Sequence, residues 1–566
     1  MSSLQRNTLL YRLQCLLQER PHSEAVVAYD EELQRSSWTY QQLFNIASRF
    51  AHILKMSGVK KGDYVLSSLP NCPEAVVTTL GVMLAGAVHV PVEVFMNSGE
   101  TFFDVAERTR AKFMIVSDSE LDHNSKLIAS SIEWTASSIT GLFKGDNPKL
   151  KHLQTMFHIE RSENCDAKMD FFQHMASHEN TFLCEVAEDD LCAVFCTASS
   201  SLLVCLVGHT QGGIIKGCQA FRDSVSCEDN YLNCGPTSWL TSSPGDYLVW
   251  RSTRVLLDSW HPLKVKSRAR LLAEIIENEK VGTVFLTPME VEDVVREWCP
   301  RLLPMSKHLI TGGMPVTEKL INSVQPAFTK VTVRYGITET GDISTNTMES
   351  GSTFKSFDCG TCIRGVQVRL VDADFKDVAP GQTGRLLFKS PGMFGKYVGQ
   401  PECETLDKFT SDGWFISGDA GCKQMNGHLF VMGRSDTMIL HNTFNIHPSW
   451  IEKDLRTHPA VKEVVVVPVP DEVNFQNICA CVLRHEGSDA NEEDILTHYR
   501  DIYVAQEGDM FSPNYILFFD SFPVQRNGQT DRSQLAEQAT ATVQTSKLAK
   551  IATNIVKHFT DSNGVH

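Results

Sequence analysis

No block of basic residues stands anywhere in the 566-residue chain, and 52 Lys and Arg are outweighed by 68 Asp and Glu, a formal net charge of −16. Phosphate-driven binding needs clustered cations, so nucleic acid and acidic membranes are excluded as principal partners. No internal repeat or low-complexity tract stands out, which argues against a solenoid. The amino terminus lacks the apolar core of a secretory signal. The most membrane-like run, residues 75–92, contains Thr78, Thr79, His89 and Pro91. It reads as a buried helix followed by a buried strand, so no transmembrane segment is expected. Ser546-Lys547-Leu548 would be a peroxisomal address only at the carboxyl end, and the chain runs on to His566.

A disulfide framework is also missing. The 17 cysteines are scattered, and Cys192, Cys196 and Cys205 lie in apolar runs. Buried free thiols of a reducing compartment fit that pattern, so the expected location is cytoplasmic. Arg6, Arg12 and Arg20, with no acid before Glu19, leave a mitochondrial transit segment as the alternative. The stripe Leu9, Leu10, Leu13, Leu16 and Leu17 favours an amphipathic first helix instead. Cys359-Gly-Thr-Cys362 has zinc-ribbon spacing but no matching second pair, so no metal is expected there.

What is present is an ordinary globular composition, 42% hydrophobic and 21% charged. At roughly 150 residues per domain, the length suggests one large composite region and a smaller one. Residues 39–57 read as a helix. Thr39 and Gln42 form a capping box, Leu43, Ile46, Ala47, Phe50, Ile53 and Leu54 the apolar stripe, and Gly58 the stop. A strand at 64–69, a helix at 73–85 and a strand at 87–92 follow. The alternation implies an α/β fold of largely parallel sheets flanked by helices. Residues 118–180 read as polar and irregular. From Gly384 the texture changes. Residues 384–388 and 428–432 look like antiparallel strands of a small β-barrel-like part. A compact α+β stretch follows, with helices near 449–457 and 492–501 and strands at 464–467 and 515–519. The boundary is expected near Ser435–Asp436, giving a large domain, 1–434, and a small mobile one, 435–566.

Three short segments carry candidate chemistry. Tyr335-Gly336-Ile337-Thr338-Glu339 follows a strand at 331–333. A glycine lets backbone approach a ligand, a hydroxyl can hold a phosphate oxygen and a carboxylate can hold Mg²⁺. A plain strand-end turn would read the same way. Gly418-Asp419 follows a glycine turn, and its carboxylate could accept from a ribose diol or merely cap the turn. Arg434 could complete a ribose clamp or salt-bridge across a domain joint.

In order along the chain, these residues resemble the adenylate-forming (AMP-binding) superfamily of acyl-CoA synthetases, adenylation domains and luciferases. The resemblance spans about residues 20–550. It includes Gly58-Val59-Lys60-Lys61-Gly62-Asp63, Leu69-Pro70-Asn71-Cys72-Pro73-Glu74, Asn445-Ile446-His447-Pro448 and Ile451-Glu452. Residues 478–483 look most like the medium-chain acyl-CoA ligase branch. By this resemblance Gly313 and Met314 line the adenine with Tyr335 and Gly336. Thr338 reaches the α-phosphate, Glu339 holds Mg²⁺, Asp419 and Arg434 hold the ribose, and Asp436 is the hinge. The implied reaction joins a carboxylic acid to AMP from Mg·ATP, releasing pyrophosphate, and then passes the acyl group to CoA after the small domain swings.

Two departures fall where phosphate charge is handled. The family's phosphate loop is Gly-rich and ends in Pro-Lys-Gly. Here it runs from Cys196 to Gln211, with Ser199 and Leu202 in place of glycines and Cys205 in place of the lysine. Thr197, Ser200 and Ser201 keep hydroxyls, but a backbone phosphate nest is hard to form without the glycines. Gln529 stands at the family's catalytic lysine, and an amide cannot neutralise an oxyanion. Arg526 and Arg532 are the nearby cations that could substitute. Thr443 and Phe475 stand where the family has Gly. The reading is an acyl-CoA synthetase-like protein with impaired adenylation that binds nucleotide or acyl-adenylate. The alternatives are an active medium-chain fatty acid–CoA ligase with rebuilt phosphate contacts and a decaying paralogue with no ligand.

Overall fold

The computed structural model describes residues 6–92, 99–135, 139–161, 170–197, 205–227, 230–264, 267–298, 305–314, 316–372, 374–401, 405–434, 438–441, 444–446, 448–503, 511–523 and 530–545. These residues form two compact units, one reaching Arg434 and one running from Met438 onward.

The larger unit contains two nine-stranded sheets and a four-stranded antiparallel sheet. The centre of one large sheet is parallel: Glu24–Tyr29, Thr253–Leu257, Asn230–Asn233, Thr283–Phe285, Ser306–Gly312 and Phe328–Ile337, in spatial order. Gly341–Glu349 then turns back antiparallel beside the last of these. In the other large sheet Tyr64–Ser67, Val88–Pro91, Phe113–Ser117 and Thr155–Ile159 run parallel. Leu191–Thr197 joins beside Val88–Pro91 and forms a hairpin with Cys205–Thr210. Parallel strands covered on both faces are rich in apolar side chains, and Phe113–Ser117 and Thr253–Leu257 are buried at every position.

Local signals account for the helices. Helix Tyr40–Met56 begins in a complete capping box. The Thr39 hydroxyl accepts from Gln42 N at 3.2 Å, and Thr39 N donates to the Gln42 side chain at 2.8 Å. Its stripe Leu43, Ala47, Phe50 and Leu54 is fully buried. The run with membrane-like hydropathy is the helix Pro73–Leu84 and the strand Val88–Pro91, both in the core. No described helix is long and apolar enough to cross a membrane.

One local expectation is corrected. Residues 118–180 are not irregular. They include helices His123–Ile128 and Phe171–Ser177, the strand Thr155–Ile159 and an antiparallel hairpin of Ile132–Trp134 with Thr140–Phe143. Hairpin side chains such as Glu133 and Leu142 face solvent, so edge strands of this kind lack an apolar signature. The strands Thr383–Lys389 and Leu429–Arg434 flank Phe415–Lys423, which pairs with both, so Gly418 and Asp419 stand inside the strand that follows the Gly413 turn.

In the smaller unit Val461–Asp471 pairs antiparallel with Phe475–Arg484, and Tyr515–Phe518 runs parallel to the latter. One face packs Val464, Val466, Ile478, Ala480 and Val482 on Ile451, Leu455 and Ile495. The other packs Val465, Val467, Cys479 and Cys481 on Leu535 and Ala539. Phe475 has φ +64, the left-handed backbone that favours glycine. Thr443 lies outside the described residues.

Candidate functional site

The strand Phe328–Ile337 organises the site. Its neighbour Ser306–Gly312 runs parallel, with Gly312 in register with Arg334. A Cβ on Gly312 would collide with the Arg334 carbonyl oxygen, so the close approach requires glycine. Gly313 and Met314 follow at the strand's end, exposed and half-buried respectively, close in the fold to the half-buried Tyr335 and exposed Gly336. The Tyr335 hydroxyl donates to Asp419 Oδ2 at 2.5 Å. Asp419 is buried, and its own N–H donates to Ser417 Oγ at 3.1 Å. Gly418 has φ +79, and the Phe415–Lys423 strand is irregular against both neighbours here. The irregularity re-aims a side chain, as bulges do. Arg434 is in register directly opposite Asp419. Tyr335, Asp419 and the backbone of Arg434 are thus brought together from three separate strands.

Thr338 and Glu339 occupy the turn between Phe328–Ile337 and Gly341–Glu349, both half-buried. Two residues that no functional reading of the sequence singled out hold this turn. His209 Nε2 donates to the Thr338 carbonyl at 2.7 Å, and the Tyr397 hydroxyl donates to Glu339 Oε1 at 3.0 Å. Phe394 N adds a bond to the Glu339 carbonyl at 2.8 Å. His209 is fully buried, and burial pushes its imidazole down to about 4 despite the bond to Thr338. It is therefore neutral near pH 7, with one nitrogen donating. The folded pKa lies below the ordinary 6.5, so the stability linked to neutral His209 is complete above about pH 6.5. It is lost as pH falls towards 4. Replacing it by Asn, which cannot gain a proton, is expected to shift relative stability in the variant's favour by about 2 kcal/mol between pH 7 and pH 5. Denaturant midpoints of the two proteins at both pH values check this. An unchanged difference would mean that His209 is protonated in the fold.

The phosphate end differs in character. Thr197 closes its strand half-buried, opposite Cys205 at the start of the next. Ser200 and Ser201 lie outside the described residues. Cys205 is 8% exposed and packs with Val207, Phe394, Tyr397 and Phe415, with Phe409 beside them. The Phe394 and Tyr397 rings are 4.7 Å apart, and Phe394 stacks on Phe409 at 5.9 Å. The position that resemblance assigns to a lysine is therefore an apolar thiol in an aromatic cluster, and the same Tyr397 holds Glu339. Burying an ammonium there would carry a heavy desolvation penalty.

Gln529, Asp436 and Arg526 lie outside the described residues. Arg532 is described, and it is not an uncommitted cation. Its guanidinium donates to Glu452 Oε1 at 2.7 Å and to the Val466 carbonyl at 3.1 Å. Glu452 is 1% exposed and also accepts from Val466 N at 2.8 Å. A carboxylate this buried requires a counter-charge, and Arg532 supplies it together with Arg456, whose Nη2 lies 3.2 Å from Glu452 Oε2. Among the described residues no group of three or more His, Cys, Asp or Glu is arranged to hold a metal ion.

The chain is similar to proteins of one known family. Residues 14–398 match the family model of the AMP-binding enzymes, and residues 451–529 match that of the AMP-binding enzyme C-terminal domain. Rice (Oryza sativa subsp. japonica) 4-coumarate–CoA ligase 3 is 23% identical over 521 residues, 89% of this chain and 88% of the relative. The mitochondrial acyl-coenzyme A synthetase ACSM4 of Mus musculus is 22% identical over 536 residues, covering 92% and 87%. Among solved structures, the amide bond synthetase McbA of Marinactinospora thermotolerans superposes with a TM-score of 0.74 at 19% identity, covering 94% of this chain and 99% of that one. ATP-bound MatB of Rhodopseudomonas palustris gives 0.63 at 21%, again covering 94% and 99%. The chain belongs to the AMP-binding, adenylate-forming enzyme family.

Proposed function

We propose that this member of the acyl-CoA synthetase and ligase family binds AMP or an acyl-adenylate but carries out adenylation weakly or not at all. The observation that carries the reading is the contrast between the two ends of the site. At the proposed nucleoside end Tyr335 donates to Asp419, and Gly312 lies in register with Arg334. At the phosphate end Cys205 is sealed among Phe394, Tyr397 and Phe415. Asp419 and Arg434 would hold the ribose, Gly313, Met314 and Tyr335 the adenine, and Thr338 the α-phosphate. Mg²⁺ at Glu339 would supply charge neutralisation on phosphate oxygens, and CoA the acyl acceptor. The partner is a small carboxylic acid or its adenylate.

Calorimetry on the full chain tests this. AMP and a non-hydrolysable acyl-adenylate are expected to bind at least as tightly as Mg·ATP, because the extra phosphates of ATP meet no cation at Cys205 and the acyl group adds apolar burial. Mg·ATP binding tenfold tighter than AMP, about 1.4 kcal/mol, would show that the loop still grips pyrophosphate. It would then favour the alternative, an active medium-chain ligase with rebuilt phosphate contacts.

A further inference from the structure

Arg334, on the Phe328–Ile337 strand, belongs to a group of buried polar side chains drawn from three elements of the larger unit. Arg334, the residue before Tyr335, is 8% exposed. Its Nε and Nη2 donate to the two oxygens of Asp342, the latter at 2.8 Å, while Nη1 has no partner. Its guanidinium lies over the Phe221 ring at 4.7 Å and the Phe285 ring at 5.5 Å. Phe221 stacks on Trp250 at 5.3 Å, and Trp250 meets Tyr231 at 4.9 Å. The fully buried Tyr231 hydroxyl has no partner either. One helical turn before Phe221, Cys218 Sγ donates to Asp246 Oδ1 at 3.6 Å, leaving Oδ2 without a partner. Trp250 Nε1 donates to the Cys218 carbonyl at 3.2 Å, tying this helix to the Asp246 helix.

Buried polar atoms normally find partners, and three such atoms in one contact network call for an explanation. A fatty chain supplies none, since it would leave every one of them unsatisfied. A carboxylate supplies acceptors for Arg334 Nη1 and the Tyr231 hydroxyl. Burial pushes the Asp246 carboxyl up to about 7, against the pull of Arg334 and Arg254. Near neutral pH it can therefore present an O–H to the same group.

We propose that Arg334, Tyr231 and Asp246 form a subsite for the distal carboxylate of a short dicarboxylic acid, whose other carboxylate lies towards the nucleotide. The assignment rests on the nucleotide reading above, and it makes the preferred acid a short diacid in place of a fatty acid.

Calorimetry on the full chain with glutarate, adipate, hexanoate and octanoate, each with and without saturating AMP, tests it. The diacids are expected to bind at least tenfold tighter than the monoacids. Tyr231→Phe removes only an unpartnered hydroxyl, so the fold is preserved. It is expected to weaken adipate at least fivefold and leave hexanoate unchanged. Arg334→Met is expected to abolish the preference, and near-ultraviolet circular dichroism checks its fold. Equal or tighter binding of octanoate, or Tyr231→Phe leaving adipate unchanged, would overturn the proposal. So would the absence of any acid binding while AMP binds, because the network would then hold only water. Failure of AMP binding with diacid selectivity intact would overturn the nucleotide reading and leave this one standing.

Discussion

ATP–pyrophosphate exchange by this chain, with fatty acids from C4 to C16, is expected to stay at background. Transfer to the α-phosphate places charge on pyrophosphate oxygens, and positioned cations lower the barrier by neutralising it. Losing one such donor costs roughly 3–4 kcal/mol, about 10²–10³ in rate. By the resemblance, Cys205 and Gln529 stand where the family has two such cations, and the losses need not add. Restoring one position should not suffice. A lysine in place of Cys205 would put its stem into a cluster of Val207, Phe394, Tyr397 and Phe415, where an ammonium is costly to bury. Cys205→Lys alone is therefore expected to lower stability without raising exchange. The combined variant with Ser199→Gly, Leu202→Gly, Cys205→Lys and Gln529→Lys is expected to raise exchange above background. Turnover by the native chain within about tenfold of 10 s⁻¹, a typical enzyme rate, would sink this reading for any acid tested.

Substitution of Arg161 by Met is expected to destabilise the larger unit by about 3–5 kcal/mol. Arg161 donates to both oxygens of Glu74, at 2.7 and 2.6 Å, and to Asp258 at 2.7 Å. Its guanidinium also lies 4.5 Å from the Trp260 ring centroid. Glu74 is 1% exposed, and the Asp258 carboxyl is pushed up to about 6 by burial even with Arg161 beside it. Without the guanidinium, two carboxylates would share a buried space. The cheapest response is protonation, so the penalty is expected to be smaller at pH 5 than at pH 8. Lys should rescue only in part, since it cannot reproduce the bidentate fork. Denaturant midpoints at both pH values provide the measurement. A cost below 1 kcal/mol at pH 8 would show that the carboxylates find other partners.

Much of the framework was legible before any coordinates. The capping box at Thr39 and Gln42 and the buried run from Pro73 to Pro91 follow from local periodicity and end signals. Those act within one or two turns of chain. Tyr335, Thr338, Glu339 and Asp419 were legible as chemistry because each residue type sits in an ordered motif. The edge hairpin at Ile132–Phe143 was not legible, since strands with one face in water and few side chains in the core carry little pattern. Nor was the placement of Asp419 within a strand, because an irregular strand with a glycine at positive φ reads locally like a turn.

Sequence alone determined the family resemblance, the α/β class and the identities Ser199, Leu202, Cys205 and Gln529 at the positions that the resemblance assigns to phosphate handling. Those are properties of residue identity and order. Only the tertiary structure decided what such residues became. It put Cys205 into an aromatic cluster beside Tyr397, committed Arg532 to Glu452, and brought His209 to the Thr338 carbonyl across 129 positions of chain. It also left Arg334 Nη1, Tyr231 and Asp246 Oδ2 as unmatched polar atoms in one buried network. Burial and partner choice are set by which distant segments pack together. The cost of an uncompensated charge or polar group depends on that packing, and no local stretch of sequence encodes it.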